Sequence, residues 1–401
     1  MSNKKLLLQT GSQTKAVHAG ERPDSGTGAS APNIVMSSTF VVDETVSFSA
    51  LNLDEDTPYM YSRWSNPTVT QLEDKLTALE EAEACVAFAS GMAASTAVLL
   101  SFLSHGDHLV ISSTNYLGTA ELARKTLPRM GISVTPVDTS NPAAIESAIK
   151  KNTRMVWLET PSNPLINITD IAKAAQIAHS NHSLLAVDST FATPIATKPL
   201  SLGADLVIHS LTKYIGGHGD AMGGAVLGNR EHIAHLHNEG VIHHGGVISP
   251  FNAWLIMRGT ATLPIRMRVH QENAQIIAEY LEGHDSVELV RYPGLKTHPD
   301  HDIATKQMSN FSGMLAFRVN DPHAVARKMM KKLEIFHYAV SLGHHRSLIY
   351  LMETKDLVTS SYELTGFDLD RYRRIAGSGL FRVSIGLENH EDLIKDLDQI
   401  L

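Results

Sequence analysis

The stretch from Val207 to Gly224, VIHSLTKYIGGHGDAMGG, sets one lysine, Lys213, between an apolar run and a loop holding five glycines. A solvated surface lysine needs neither neighbour. Two hydroxyls, Ser210 and Thr212, stand just before it, and Ser90-Gly91-Met92 opens a helix-like pattern after another apolar run. Free N–H groups and the dipole at such a helix start attract an anion. Further runs end in Asn115-Tyr116, in Glu159 to Asn163 and in Asp188. Together these ends offer an amine, hydroxyls and amides for a phosphate, a carboxylate and an aromatic ring. A dinucleotide loop is excluded, because Gly217 and Gly219 are followed by Met222 where the fingerprint needs glycine, and no loop reads Gly-Lys-Ser/Thr. An amine held near a phosphate site and a carboxylate points instead to a phosphorylated aldehyde bound as a Schiff base, which is pyridoxal phosphate chemistry. Asp188 would then keep the pyridine nitrogen protonated, and Tyr116 would stack on the ring.

The elements that must position these groups follow from periodicity. Apolar strands are expected at Val86 to Ala89, Leu109 to Ser112, Val134 to Val137, Met155 to Glu159, Leu184 to Asp188 and Leu206 to His209, most of them separated by helix-length segments. That alternation predicts an α/β fold with a mainly parallel sheet covered on both faces. Ligands in such a sheet bind beyond the carboxyl ends of its strands, where the polar residues above cluster. A helix starts at Asn66-Pro67, with Val69, Leu72, Leu76 and Leu79 on one face. After residue 250 a long helical region, Pro250 to Glu282, precedes strands at Met314 to Val319, Ile335 to Ser341 and Phe381 to Ile385 and a closing helix, Glu391 to Leu401. The expected division is therefore an N-terminal arm, 1–60, a cofactor-binding domain, 61–250, and a smaller C-terminal α/β domain, 251–401.

Composition narrows the function classes. A chain of 401 residues, 43% hydrophobic and 19% charged, is globular, and a formal charge of -8 with scattered lysine and arginine gives no field for nucleic acid. The uncharged run Cys85 to Leu103 approaches a membrane span in length, but Ser90-Gly91 breaks it into a strand and a small-residue helix, so no membrane segment is expected. One cysteine, Cys85, forms no intrachain disulfide and sits in an apolar strand as core filler, so a cytoplasmic location is expected. The pairs His243-His244 and His344-His345 do not chelate alone, since adjacent side chains diverge on strand or helix, and no metal is expected.

Seven ordered segments resemble the cystathionine/methionine-metabolism family of pyridoxal-phosphate enzymes, the γ-family of fold type I. They are YSRWSNPT (Tyr61 to Thr68), ASGMAA (Ala89 to Ala94), ETPSNP (Glu159 to Pro164), VDSTFATP (Val187 to Pro194), GADLVIHSLTKYIGGHGD (Gly203 to Asp220), AVSLG (Ala339 to Gly343) and FRVSIGLE (Phe381 to Glu388). The resemblance implies Lys213 as the Schiff-base lysine and Asp188 as partner of the pyridine nitrogen. Tyr116 is implied as the stacking ring and a proton donor, with Asn163 near the cofactor's phenolic oxygen. Gly91, Met92, Ser210 and Thr212 would hold the phosphate. Tyr61 and Arg63 would reach the phosphate of a neighbouring subunit, which makes a dimer the smallest competent unit and a tetramer expected. Arg382 would clamp the carboxylate of a small amino-acid substrate, helped by Ser341.

Family members split between γ-elimination and γ-replacement. Cystathionine-handling members usually carry glutamate where this chain has Val340; an apolar residue there favours a methylthio tail, and AVSLG resembles methionine γ-lyases. The expected activity is a carbon–sulfur γ-lyase releasing 2-oxobutanoate, ammonia and a thiol from methionine or homocysteine. The alternatives are γ-replacement, by an O-acylhomoserine sulfhydrylase or cystathionine γ-synthase, and, less favoured, a cystathionine γ-lyase. Two departures from the lyase pattern stand out. Tyr116 is followed by Leu117-Gly118-Thr119 rather than by a nearby cysteine, and His344 to Leu364 reads HHRSLIYLMETKDLVTSSYEL where relatives carry a histidine-proline-alanine segment bordering the substrate pocket. His344 or Arg346 is expected to take over a lost contact.

Overall fold

The structure, a computed structural model, describes residues 10–43, 45–47, 49 and 57–401, so part of the expected arm, 1–60, lies outside the described residues. Twelve strands occur among them: β1 (Ala84–Phe88), β2 (His108–Ser112), β3 (Ser133–Val137), β4 (Thr153–Glu159), β5 (Leu184–Asp188), β6 (Leu206–Ser210), β7 (Gly224–Gly228), β8 (Val287–Arg291), β9 (Met314–Val319), β10 (His337–Tyr338), β11 (Leu348–Glu353) and β12 (Gly379–Ser384). The chain forms two compact units, Met1–Leu103 with Asp205–Pro264, and Ser104–Ala204 with Ile265–Leu401. Each unit takes two stretches of chain, a different partition from consecutive blocks divided at 60 and 250.

In the first unit β7 runs antiparallel between β1 and β6. The helix Pro67–Glu80 begins where expected, because the Asn66 side chain accepts from the Thr68 amide (2.9 Å) and Pro67 brings a preset φ to the first turn. Its apolar face buries Leu72, Leu76 and Leu79, each contributing roughly 2 kcal/mol of transfer free energy. Lys75 of the same helix is fully buried; its Nζ donates to the Ala16 carbonyl (2.6 Å) and pairs with Glu21 (2.7 Å). These bonds tie down the helix Ser12–His18, so this piece of the arm packs on its own chain. The run Cys85 to Leu103 resolves into β1 and the helix Gly91–Phe102, and among the described residues no helix is long and apolar enough to cross a membrane.

The second unit contains a parallel set in the order β5-β4-β2-β3, whose register places Glu159 beside Asp188. It also holds a five-stranded sheet in the order β10-β11-β12-β9-β8, with Tyr350 opposite Arg382 and the rings of Phe317 and Phe381 stacked at 5.2 Å in its core. Three features of the chain differ from the sequence reading. The strand expected over Ile335 to Ser341 shortens to β10, because Ser341 takes a positive φ (141°) and Val340 turns outward. β8 was hidden by its charges; Glu288 on it pairs with Arg318 of β9 at 2.9 Å. The region Pro250 to Glu282 is two helices, Pro250–Thr260 and Leu263–Glu282.

Candidate active site

The first unit carries Lys213 and the residues expected at a phosphate, Gly91, Met92, Ser210 and Thr212. The helix Gly91–Phe102 is capped by Ser90, whose Oγ accepts from the Ala93 amide at 3.1 Å. Its start is pressed against the end of β6. A Cβ at Gly91 would lie 2.8 Å from the Ser210 Cβ, and one at Gly224 would lie 2.2 Å from the Ser90 carbonyl oxygen. Only glycine permits both approaches, so the amides of Gly91 and Met92 open beside Ser210 as an anion cradle requires. Thr212 is fixed there too, its hydroxyl donating to the Gly223 carbonyl (3.2 Å) and accepting from the Gly223 amide (3.1 Å).

Lys213 follows in a turn whose amide donates to Ser210 (3.2 Å) and whose carbonyl accepts from Gly217 (2.7 Å). Leu211 and Tyr214, on either side, are fully buried and anchor the turn. The next glycine is held by close packing, since a Cβ at Gly259 would come within 2.0 Å of the Gly216 carbonyl oxygen. Tyr61 is 41% exposed, with the Arg63 guanidinium 5.4 Å from its ring centroid, while Arg63 donates to the Ile242 carbonyl at 2.5 Å.

The second unit holds Tyr116, Asn163 and Asp188, expected at a cofactor ring, and Arg382 and Ser341, expected at a substrate carboxylate. Asp188 ends β5 buried, and its Oδ1 accepts from the Thr190 amide at 3.0 Å. Beside it Glu159 ends β4, and its two carboxylate oxygens accept from the Tyr116 amide (2.6 Å) and the Asn163 amide (2.8 Å). Burial holds the Glu159 carboxyl well above the usual carboxylate range, and the charge of Asp188 pushes it further. Tyr116 leads the short helix Leu117–Glu121 and is 48% exposed. Arg382, buried on β12, donates to the Asn163 side-chain oxygen (3.0 Å) and to the Ser341 carbonyl (3.1 Å). Ser341 thus helps Arg382 through its backbone, while its hydroxyl meets His344 Nε2 at 3.3 Å. Arg346 is exposed.

Two residues of this arrangement carried no role in the sequence reading. Glu159 had a signal, a lone acid closing an apolar strand, while Tyr362 had none, being one aromatic in a mixed segment; its hydroxyl reaches the carbonyls of Asn115 and Asn163. In the first unit, a helix-start cradle that a Cβ would fill, with hydroxyls and a lysine beside it, fits a phosphorylated aldehyde. In the second, a buried carboxylate, an aromatic ring and an oriented guanidinium fit a pyridine ring bearing an amino acid.

The chain is 42% identical over 391 residues to an L-methionine gamma-lyase of Fusobacterium nucleatum subsp. polymorphum, covering 96% of both. It is 41% identical over 392 residues to a cystathionine gamma-synthase of Mycobacterium leprae, covering 98% of this chain and 97% of that one. Among solved structures, metB of Corynebacterium glutamicum superposes with a TM-score of 0.89 at 38% identity, covering 98% of both chains. Residues 13–401 match the family described as Cys/Met metabolism PLP-dependent enzyme, and the chain belongs to that family of fold type I, pyridoxal-phosphate-dependent enzymes.

Proposed function

We propose that this enzyme is a carbon–sulfur γ-lyase that converts L-methionine or homocysteine to 2-oxobutanoate, ammonia and a thiol. One observation carries the choice. Val340, 65% exposed, directly precedes Ser341, whose carbonyl orients Arg382 at 3.1 Å. An apolar, accessible side chain next to the carboxylate clamp suits a methylthio tail and offers nothing to a distal ammonium group.

Pyridoxal phosphate, when bound, supplies an aldehyde for the amines of lysine and substrate and a protonated ring that stabilises negative charge at the substrate α-carbon. Gly91, Met92, Ser210 and Thr212 hold its phosphate, and Asp188 holds the proton on its pyridine nitrogen. Lys213 Nζ would take the proton from the substrate α-carbon, give it up to the carbon that joins cofactor and substrate amine, and, neutral again, take one from the β-carbon. The Tyr116 hydroxyl donates a proton to the departing thiolate. Arg382 holds the substrate carboxylate through a forked contact, with Asn163 keeping the guanidinium aligned. Tyr61 and Arg63 serve the phosphate of a second subunit, in a homodimer or a tetramer of two such dimers. A single cysteine in 401 residues fits the cytoplasm.

The relatives support a second reading, γ-replacement on an activated homoserine, because the identities of 42% and 41% to a lyase and a synthase do not separate the two. Release of 2-oxobutanoate from L-methionine by the purified holoenzyme, with no thiol added, decides. Release establishes the lyase; a cofactor-loaded protein that releases none and instead joins a thiol to an O-acylhomoserine is a replacement enzyme.

A further inference from the structure

The segment His344–Leu364 departs most from the family pattern, and it delivers one buried phenol to the loops that carry the ring and the clamp. Tyr362 is 1% exposed, and its hydroxyl lies 2.8 Å from the Asn115 carbonyl oxygen and 3.1 Å from that of Asn163. Asn115 immediately precedes Tyr116, and the Asn163 side chain orients Arg382 at 3.0 Å. Glu159 ties the same two loops through the amides of Tyr116 and Asn163, so each loop is held on both its amide and its carbonyl side. The phenol ring is itself fixed. The Arg124 guanidinium sits 6.0 Å from its centroid while donating to the Ser113 carbonyl at 3.1 Å, and the Tyr372 ring lies 6.1 Å away.

We infer that Tyr362 is a positioning residue: its hydroxyl, shared between the carbonyls of Asn115 and Asn163, sets the Tyr116 ring and the Arg382 clamp in register with each other. Burial pushes the phenol well above its ordinary range, so it stays a donor through neutral pH. The segment thus reaches under these loops through Tyr362, while its His344 meets the Ser341 hydroxyl at 3.3 Å. This inference rests on the roles proposed above for Tyr116 and Arg382.

The test uses Tyr362→Phe holoenzyme, with Tyr372→Phe as its control, since the Tyr372 hydroxyl lies buried in the same cluster and has no hydrogen-bond partner among the described residues. Glycine is the probe: it has the amine and carboxylate of a substrate and no side chain to eliminate. Its affinity is read from the absorbance of the bound cofactor, and ring orientation from the cofactor's circular dichroism band. Tyr362→Phe is expected to retain its cofactor, to bind glycine about ten-fold more weakly and to change the dichroic amplitude, as loss of one buried hydrogen bond predicts. Tyr372→Phe is expected to match the wild type. Unchanged glycine affinity and dichroism in Tyr362→Phe overturn the inference, as does an equal loss in Tyr372→Phe. Should Tyr362→Phe yield no folded holoenzyme, Arg124→Gln frees the ring while leaving the hydroxyl; weaker glycine binding supports the inference and unchanged binding overturns it. Glycine binding needs no elimination, so a wild type inert toward methionine would remove the γ-lyase reading and leave this result standing.

Discussion

Two regions of the second unit meet at Asn163 and are built in opposite ways. From Glu159 to Thr169, every residue of the loop after β4 is buried, and its anchors are side chains bonded to backbone. The segment from His344 to Leu364 mixes buried and exposed residues, carries the exposed Arg346 near its start, and touches the loop through Tyr362. A buried, doubly bonded loop tolerates little change in sequence, because each lost partner strands a polar group away from water. A half-exposed segment can be rewritten as long as its few buried anchors stay. The difference teaches where to look for each property: chemistry in the strand-end loops, selectivity in the segment.

If that division holds, changes at strand ends abolish turnover of every substrate, while changes in and beside the segment, away from its buried anchor Tyr362, redistribute it. The largest expected effect is at Lys213. Lys213→Ala removes the group proposed to move the proton at the α-carbon, and kcat should fall by about 10³-fold or more with every amino acid tried. Borohydride reduction of the wild type fixes the cofactor to Lys213 in the same experiment. An adduct mapped to another lysine breaks the comparison at its root.

Next in size is Glu159→Ala. Two amides, the half-buried one of Tyr116 and the buried one of Asn163, lose acceptors at 2.6 and 2.8 Å. At ~1–3 kcal/mol for each stranded donor, the urea midpoint should drop sharply, and kcat/KM should fall by about a hundred-fold. A variant with wild-type stability and rate would show that the loops hold themselves and that Glu159 is a bystander.

How much of this was legible before the structure follows from the same contrast. Strand ends announce themselves, since a short apolar run closed by Asp188, by Ser210 or by Glu159 has one physical reading. β5 therefore spans Leu184–Asp188 as the pattern predicts, and β4 and β6 end within one residue of it. β7 was illegible because it starts and ends in glycine and runs antiparallel, so its signal merges with the loop after Lys213. β11, LIYLME, lay inside the atypical segment, where no period guided the reading. Tyr362 illustrates the general limit, because a contact across 199 residues to Asn163 leaves no local trace in either stretch. The alignment of Glu159 with Asp188 likewise depends on strand order, which periodicity does not specify.

Acid sharpens the comparison from the side of the loops. His108 on β2, His270 against the Ile385 carbonyl and His298 against the Ile166 carbonyl are buried, and burial lowers them to about 4, 4 and 3. Each folds neutral and binds its proton near pH 6.5 once unfolded, so the unfolded chain gains protons first as pH falls. Stability is therefore complete above the unfolded value and is lost as pH drops toward the folded one. Between pH 7 and 6 the three together should remove about 2 kcal/mol, a loss visible in urea midpoints taken at the two pH values. His298→Gln should flatten that slope by about a third. A midpoint constant from pH 7 to 6 would mean that these rings are not held neutral.

The smallest effect expected is the one that separates selectivity from chemistry. Val340 lies just before the segment, exposed, with its neighbour's carbonyl on Arg382. Val340→Glu places a carboxylate where a distal ammonium group would pass, at no cost in buried polarity, because the side chain is already in water. The ratio of kcat/KM for cystathionine to that for methionine should rise about ten-fold, a change of ~1.4 kcal/mol in relative transition-state binding. The cofactor's absorbance and the affinity for glycine should not move, since neither senses the substrate's far end. A fall in rate for both substrates with no change in their ratio would place Val340 with the catalytic loops, and selectivity would then not extend from the segment to the residues just before it.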